Sequence, residues 1–133
     1  MSDSTSTGTD GLLDVELVAA DRRVWSGQAT TVIVRTTDGD LGILPNHEPV
    51  LAMVVPWPVT IRTPEGDVVA SLNGGFVSIV DNKVSLLAET AELAADIDVA
   101  KVERELTVAR DASDERAEAI AASRLAAAAG HRV

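Results

Sequence analysis

The sequence contains no cysteine and very few aromatic residues. Its 133 residues include two tryptophans, one phenylalanine and no tyrosine. Without cysteine the chain can form no disulfide framework, thiolate metal site or thiol nucleophile. The scarcity of aromatic rings removes the platforms on which single-stranded nucleic acid stacks. The core must therefore come from aliphatic side chains.

The sequence also lacks a long apolar run and an excess of positive charge. No stretch has the roughly 18 apolar residues that a membrane span needs, and the N-terminus does not resemble a signal peptide. The formal net charge is −10, which repels phosphate backbones and anionic lipids. We therefore expect no nucleic-acid binding, no direct membrane insertion and a cytoplasmic location, with residues 1–11 forming a disordered tail.

Residues 12–90 alternate short apolar runs with turn residues. The run that begins at Leu13 alternates apolar and acidic side chains, which is the period of a half-buried strand. Thr30–Thr36 is almost wholly β-branched. Turn signals, among them Asp38-Gly39 and Asn73-Gly74-Gly75, separate such runs. The pattern predicts an antiparallel β-sandwich of about eight to ten short strands.

After residue 90 the composition shifts to alanine, glutamate and arginine, and the apolar spacing becomes helical. Asp96 or Asp98 is the predicted N-cap of a first helix. The residues that recur at its spacing of three and four are Val99, Val102, Leu106 and Ala109. A second helix is predicted through Arg116–Ala129, with Ser113 as its N-cap. Residues 91–133 should therefore form an antiparallel helical hairpin.

Four local motifs, in this order, resemble those of a known family. They are Leu13–Val18 followed by Val24–Gly27, then Gly39–Pro49, Asn73–Phe76 and Leu87–Ala91. Gly39–Pro49 is the most specific, because it follows the pattern Gly-acid-x-Gly-Ile-x-Pro-x-His-x-Pro. On these motifs the chain resembles the epsilon subunit of bacterial F-type ATP synthases over about residues 12–98.

The resemblance implies a non-catalytic rotor subunit in the central stalk of a proton-translocating synthase. Such a subunit would couple the gamma subunit to the c-ring, lie peripherally on the cytoplasmic face of the cell membrane, and reach the catalytic alpha/beta head through its helices to inhibit ATP hydrolysis. The rival interpretation is a stand-alone acidic β-sandwich adaptor with a regulatory helical tail. A small hydrolase is not expected, since the sequence has no Gly-x-Ser-x-Gly motif and no credible Ser/His/Asp arrangement.

The segment Gly39–Pro49 is also a candidate docking loop, because its glycines and prolines favour a stiff turn. The resemblance implies that it faces the polar loops of the c-ring and the gamma subunit. The residues expected to make this contact are Asp38, Asp40, Pro45, Asn46, His47 and Glu48. The alternative is an ordinary surface loop. A metal site at His47 is not expected, because no histidine or cysteine clusters with it in the sequence.

The start of the first helix matches a nucleotide-binding motif of the family only in part. The family pattern is Ile/Leu-Asp-x-x-Arg-Ala, and this chain has lysine and valine at its last two positions. The residues implied in nucleotide contact are Glu92, Ile97, Asp98, Lys101 and Arg124. Lysine keeps the charge but lacks the planar fork of arginine, so the resemblance implies at most a weak regulatory ATP. The alternative has no cofactor, with Asp98 as a helix cap and Lys101 as a solvated charge.

Overall fold

A computed structural model describes residues 11–130 of the chain. The tail predicted at residues 1–11 lies outside this range except for Gly11. Eight strands are followed by a 3-10 turn at Ala94–Asp96 and two helices, which agrees with the predicted order of parts. The elements are β1 (Leu13–Ala19), β2 (Arg22–Ala29), β3 (Thr31–Thr36), β4 (Gly39–Ile43), β5 (Val50–Met53), β6 (Trp57–Thr63), β7 (Gly66–Val80), β8 (Lys83–Leu93), α1 (Val99–Asp111) and α2 (Glu115–Gly130).

The strands form a hydrogen-bonded sheet that folds over to make the two layers of the sandwich. The strand order is β2-β1-β8-β7-β6-β3-β4, and β5 pairs separately with β7. One pair departs from the prediction, because β1 and β8 run parallel. These two strands lie at opposite ends of the sandwich sequence, so no hairpin turn forces them to be antiparallel.

Strand β7 is much longer than the predicted short strands. It runs for 15 residues and passes through Asn73-Gly74-Gly75, so the predicted bend lies within one strand. The first half of β7 pairs with β6 and the second half with β5, while β8 follows β7 along both halves. Gly75 has φ +119°, a backbone conformation open mainly to glycine. This bend lets β7 belong to both layers.

The space between the layers is filled by aliphatic side chains, as the shortage of aromatic residues requires. The largest fully buried side chains are Leu13, Leu17, Ile43, Ile61, Leu72, Ile79, Leu86, Val32, Val59, Val77, Val84 and Val102. All except Val102 belong to the sandwich. Inward positions alternate with outward ones along β1 and β3, and the buried residues of the strands form one continuous core.

Strand β8 continues past the point where the sequence composition changes. β8 continues to Leu93, beyond the predicted end of the sandwich at residue 90, and Thr90–Leu93 pairs with Ala70–Asn73. Thr90–Leu93 is therefore strand. The long-range partner strand extends the ladder past the point where the sequence pattern changes.

One predicted helix cap is confirmed and the other is wrong. Asp98 caps α1, since its carboxylate accepts a hydrogen bond of 3.2 Å from the backbone N–H of Lys101. At α2 the cap is Asp114, which accepts from the N–H of Ala117 at 3.0 Å. Ser113 instead has φ +54° and forms part of the turn between the helices.

The hairpin is folded down onto the sandwich. α2 lies between the strands and α1, and it packs against β6, β7 and α1. Its buried residues are Ala121, Ser123 and Ala127. A second small apolar cluster joins Ala127 to Val69 and Ala94, with Ile97 packed against it. Small side chains thus dominate the contact between the two parts.

Candidate functional site

The residues predicted to form one docking loop lie in two groups. Gly39–Ile43 is strand β4, and five strand residues span roughly 13 Å. Asp38 precedes this strand and Asp40 lies near its start, whereas Pro45–Glu48 follows its other end. The prediction of a single stiff loop is therefore wrong, because β4 pairs with β3 through most of the segment.

The group after β4 is held by hydrogen bonds within itself and to the β7–β8 turn. Asn46 has φ +70°, and its backbone N–H donates to Oδ1 of Asn82 in the β7–β8 turn at 2.5 Å. The N–H of His47 donates to the carbonyl of Leu44 at 3.1 Å, and its Nδ1 lies 2.8 Å from the carbonyl oxygen of Glu48. These bonds fix Pro45–Glu48 against the end of β7, and Asn46 and Glu48 are exposed.

The group before β4 belongs to a tight hairpin. The hydroxyl of Thr36 accepts from the N–H of Asp38 at 3.1 Å and donates to the carbonyl of Gly39 at 2.8 Å. Asp40 accepts from Nε of Arg35 at 2.9 Å, and the same guanidinium lies 4.3 Å from the ring centroid of Trp57. Asp40 therefore already has a cationic partner within the chain. The docking role of both groups stays a prediction.

The residues predicted to contact a nucleotide are brought together only in part. Glu92 accepts from Nε of Arg124 at 2.9 Å, and both line a cleft of about 390 Å³ between α2 and the sandwich. Asp98 is used as the helix cap and Ile97 packs against the apolar cluster under α2. Lys101 is exposed on the following turn. Binding of ATP stays a prediction.

Sequence reasoning missed an exposed apolar surface on the outside of the sandwich, here called the outer apolar face. It consists of Leu51, Met53, Phe76 and Leu87, whose exposed fractions are 74%, 55%, 45% and 48%. Met53 pairs with Phe76 across β5 and β7, and Phe76 pairs with Leu87 across β7 and β8. Residues paired across strands share one side of a sheet, so three of these side chains form a row. Contiguous exposed apolar residues mark protein interaction sites.

A signal for this face was present in the sequence. Leu51–Met53, Phe76–Val77 and Leu86–Leu87 are runs in which neighbouring residues are both apolar. Successive strand residues point to opposite sides, so such runs predict strands whose two sides are both covered. Val77 and Leu86 fill the core, whereas their neighbours lie on the outer apolar face.

Two kinds of feature are absent from the part of the chain that the structure describes: a cluster of metal ligands and a membrane-spanning helix. Within residues 11–130, no group of three His, Cys, Asp or Glu side chains is placed to hold a metal ion. Over the same residues, neither helix has the length and apolar character needed to cross a membrane. The features that remain are surfaces: the outer apolar face, the two polar groups around β4, and the folded hairpin.

A β-sandwich with exposed surfaces of this kind and a folded helical hairpin is the architecture of a docking protein. The family model described as "ATP synthase, Delta/Epsilon chain, beta-sandwich domain" matches residues 12–94. The ATP synthase epsilon chain of Streptomyces coelicolor is 56% identical over 89% of this chain and 96% of its own length. The ATP synthase epsilon chain of Rhodococcus jostii is 45% identical over 86% of this chain and 94% of its own length. The chain therefore belongs to the ATP synthase epsilon chain family.

The solved structures agree in fold. A chain in the Euglena gracilis mitochondrial ATP synthase, in a structure of OSCP, F1 and the c-ring, has a TM-score of 0.71 at 23% identity, covering 91% of this chain and 82% of that one. Members of the family are non-catalytic subunits of the synthase complex, as the sequence predicted. The rival interpretation, an adaptor unrelated to the synthase, is wrong.

Proposed function

We propose that the chain is a rotor subunit in the central stalk of a proton-translocating F-type ATP synthase, where it couples the gamma subunit to the c-ring. The observation that carries this proposal is the outer apolar face on a chain of the epsilon family. Structures with the same fold come from complexes described as F1 with c-ring and as central stalk with c-ring. The described residues contribute binding surfaces to this task and no chemistry.

The two kinds of surface suit different partners. Docking of a protein on the outer apolar face would remove apolar area from water, which favours a stable complex. We assign this face to the gamma subunit. Pro45–Glu48 and the Asp38–Asp40 hairpin are polar, and we assign them to the polar loops of the c-ring. We further propose that the chain lies peripherally at the cytoplasmic face of the membrane.

The hairpin is proposed to modulate ATP hydrolysis by reaching the alpha/beta head. The small residues beneath α2 give it little buried apolar area, so undocking needs less free energy than unfolding of the sandwich. We propose no bound ATP in this equilibrium, because Arg124, one of the nucleotide contacts that the resemblance implies, is already bonded to Glu92 and Glu105.

Affinity purification tests the rotor assignment. We expect a tagged full-length chain, expressed in source cells in place of the resident subunit, to recover gamma, alpha/beta and c-ring proteins from detergent-treated membranes in stoichiometric amounts. An untagged chain is the control for carry-over. Recovery of a folded chain without gamma would contradict the proposal.

Removal of the hairpin tests its regulatory role. A chain that ends at Ile97 keeps the ladder of β8 and the 3-10 turn but lacks both helices. We expect it to assemble normally and to raise the ATP hydrolysis rate of the complex several-fold, because the inhibitory helices are gone. Equal hydrolysis rates for the full-length and shortened chains, at equal subunit content, would reject inhibition by the hairpin.

A further inference from the structure

The side chain of Arg124 is bound by carboxylates from two other elements. Its Nε donates to Oε1 of Glu92 at 2.9 Å, and its Nη1 donates to Oε1 of Glu105 at 2.8 Å. Glu92 lies on β8 of the sandwich, Glu105 on α1 and Arg124 on α2. One guanidinium group therefore connects the sandwich to both helices of the hairpin.

This ion pair is more protected from water than the other one between α2 and the sandwich. The side chains of Arg124 and Glu92 are 21% and 29% exposed, whereas those of Arg116 and Glu89 are 71% and 59% exposed. Exposed ion pairs contribute little because water and salt screen them. Partly buried, charge-assisted hydrogen bonds are stronger. The Arg124–Glu92 pair should therefore stabilise the docked helix more than the Arg116–Glu89 pair does.

The rest of the contact between α2 and the sandwich gives little stabilisation. Apart from the exposed Arg116–Glu89 pair, the buried residues that α2 contributes are Ala121, Ser123 and Ala127. The hydroxyl of Ser123 lies 3.0 Å from that of Ser71. Beside it, the buried Oδ1 of Asn73 accepts no hydrogen bond from any residue within 11–130. Burying polar groups without full pairing opposes docking. The Arg124–Glu92 ion pair should therefore contribute a larger share of the free energy of docking α2 on the sandwich than an ion pair does in an apolar interface.

We propose that Arg124 is an internal latch that holds the hairpin folded on the sandwich without a bound nucleotide. The donors Nε and Nη1, which could bind a phosphate, are already engaged by the chain's own carboxylates. Two carboxylates around one guanidinium also leave a net negative charge, which disfavours a phosphate nearby. Any effect of this latch on ATP hydrolysis rests on the proposed function, whereas the latch itself concerns only the isolated chain.

Hydrogen exchange of the isolated full-length chain tests the latch. We expect Arg124→Gln to speed amide exchange in α2 about tenfold, which corresponds to about 1.4 kcal/mol. Arg116→Gln is the matched control, because it makes the same substitution on the same helix at the exposed ion pair, and it should change exchange less than twofold. Glu92→Gln should reproduce Arg124→Gln, and peptides from β7 and β8 report whether the sandwich is intact.

Three results would overturn the latch. The first is equal α2 exchange in Arg124→Gln and Arg116→Gln, and the second is native exchange in Glu92→Gln. The third is a tenfold or greater slowing of α2 exchange when millimolar ATP is added to the unmodified chain, since a nucleotide would then hold the hairpin. If Arg124→Gln does not fold, Glu92→Gln and ATP addition decide the matter. Failure of the rotor assignment would appear only in the affinity purification.

Discussion

Replacing Phe76 with aspartate is expected to prevent the chain from binding the gamma subunit. Phe76 lies in the middle of the row formed with Met53 and Leu87 on the outer apolar face. A carboxylate there would have to be buried without a partner on docking. Central aromatic residues of interfaces typically contribute roughly 2–4 kcal/mol, so we expect about a 30- to 1000-fold loss of affinity. Titration of purified gamma subunit with the variant measures this loss.

The fold should survive this substitution, because Phe76 is 45% exposed while its neighbour Val77 fills the core. Val108→Asp is the matched control, since it places the same charge on a side chain that is 67% exposed on α1. That variant should bind gamma like the unmodified chain. Native affinity in Phe76→Asp would contradict the assignment of the outer apolar face, and equal losses in both variants would show that the effect is not local.

Replacing Gly75 with alanine is expected to destabilise the sandwich by more than about 4 kcal/mol, which is exceptional for one methyl group. A Cβ at this position would lie 1.8 Å from the backbone oxygen of Leu87. Gly75 and Leu87 both belong to the ladder between β7 and β8. The clash can therefore be relieved only if the two backbones separate. The φ of +119° adds conformational strain for any residue other than glycine. Urea-induced unfolding measures the change.

Gly42→Ala is the matched control for this prediction. Gly42 lies on β4, and a Cβ there would meet no atom within 4 Å. Alanine in an unstrained, open strand position should be neutral or slightly stabilising, because it restricts the unfolded chain. Domains of this size have about 5–15 kcal/mol of stability, so Gly75→Ala should shift the unfolding midpoint far more than Gly42→Ala. Equal midpoints would mean that the bend in β7 does not need glycine.

The assignment of the outer apolar face affects how the Gly39–Pro49 motif is interpreted. The motif identified the family, yet the hydrogen bonds of Asn46 and the ion pair of Asp40 show that several of its residues also serve the fold. A specific sequence pattern can thus arise from turn geometry as well as from contact with a partner. Phe76, which belongs to a less specific motif, contributes directly to the exposed surface.

Much of the architecture was determined by the sequence alone. Periodicity of two predicted the strands, and periodicity of three and four predicted the helices. Asp96 or Asp98 was predicted to cap α1, and Asp98 does so. These features depend on each residue's own backbone preferences and nearest neighbours. The Gly39–Pro49 pattern identified the family because it is one continuous stretch of sequence, which can be recognised without knowing which distant segments meet.

The tertiary structure decided which distant segments meet. It paired β1 with β8 in parallel, carried β7 through both layers, and set Asp38 and Asp40 apart from Pro45–Glu48. It also brought Arg124 to Glu92, 32 residues away, and left Phe76 outside the core. A local pattern gives the spacing of apolar residues but not the register and partner of each strand. Those depend on the closure of the whole sandwich, which gives Leu86 a place in the core and leaves Leu87 exposed on its outer side.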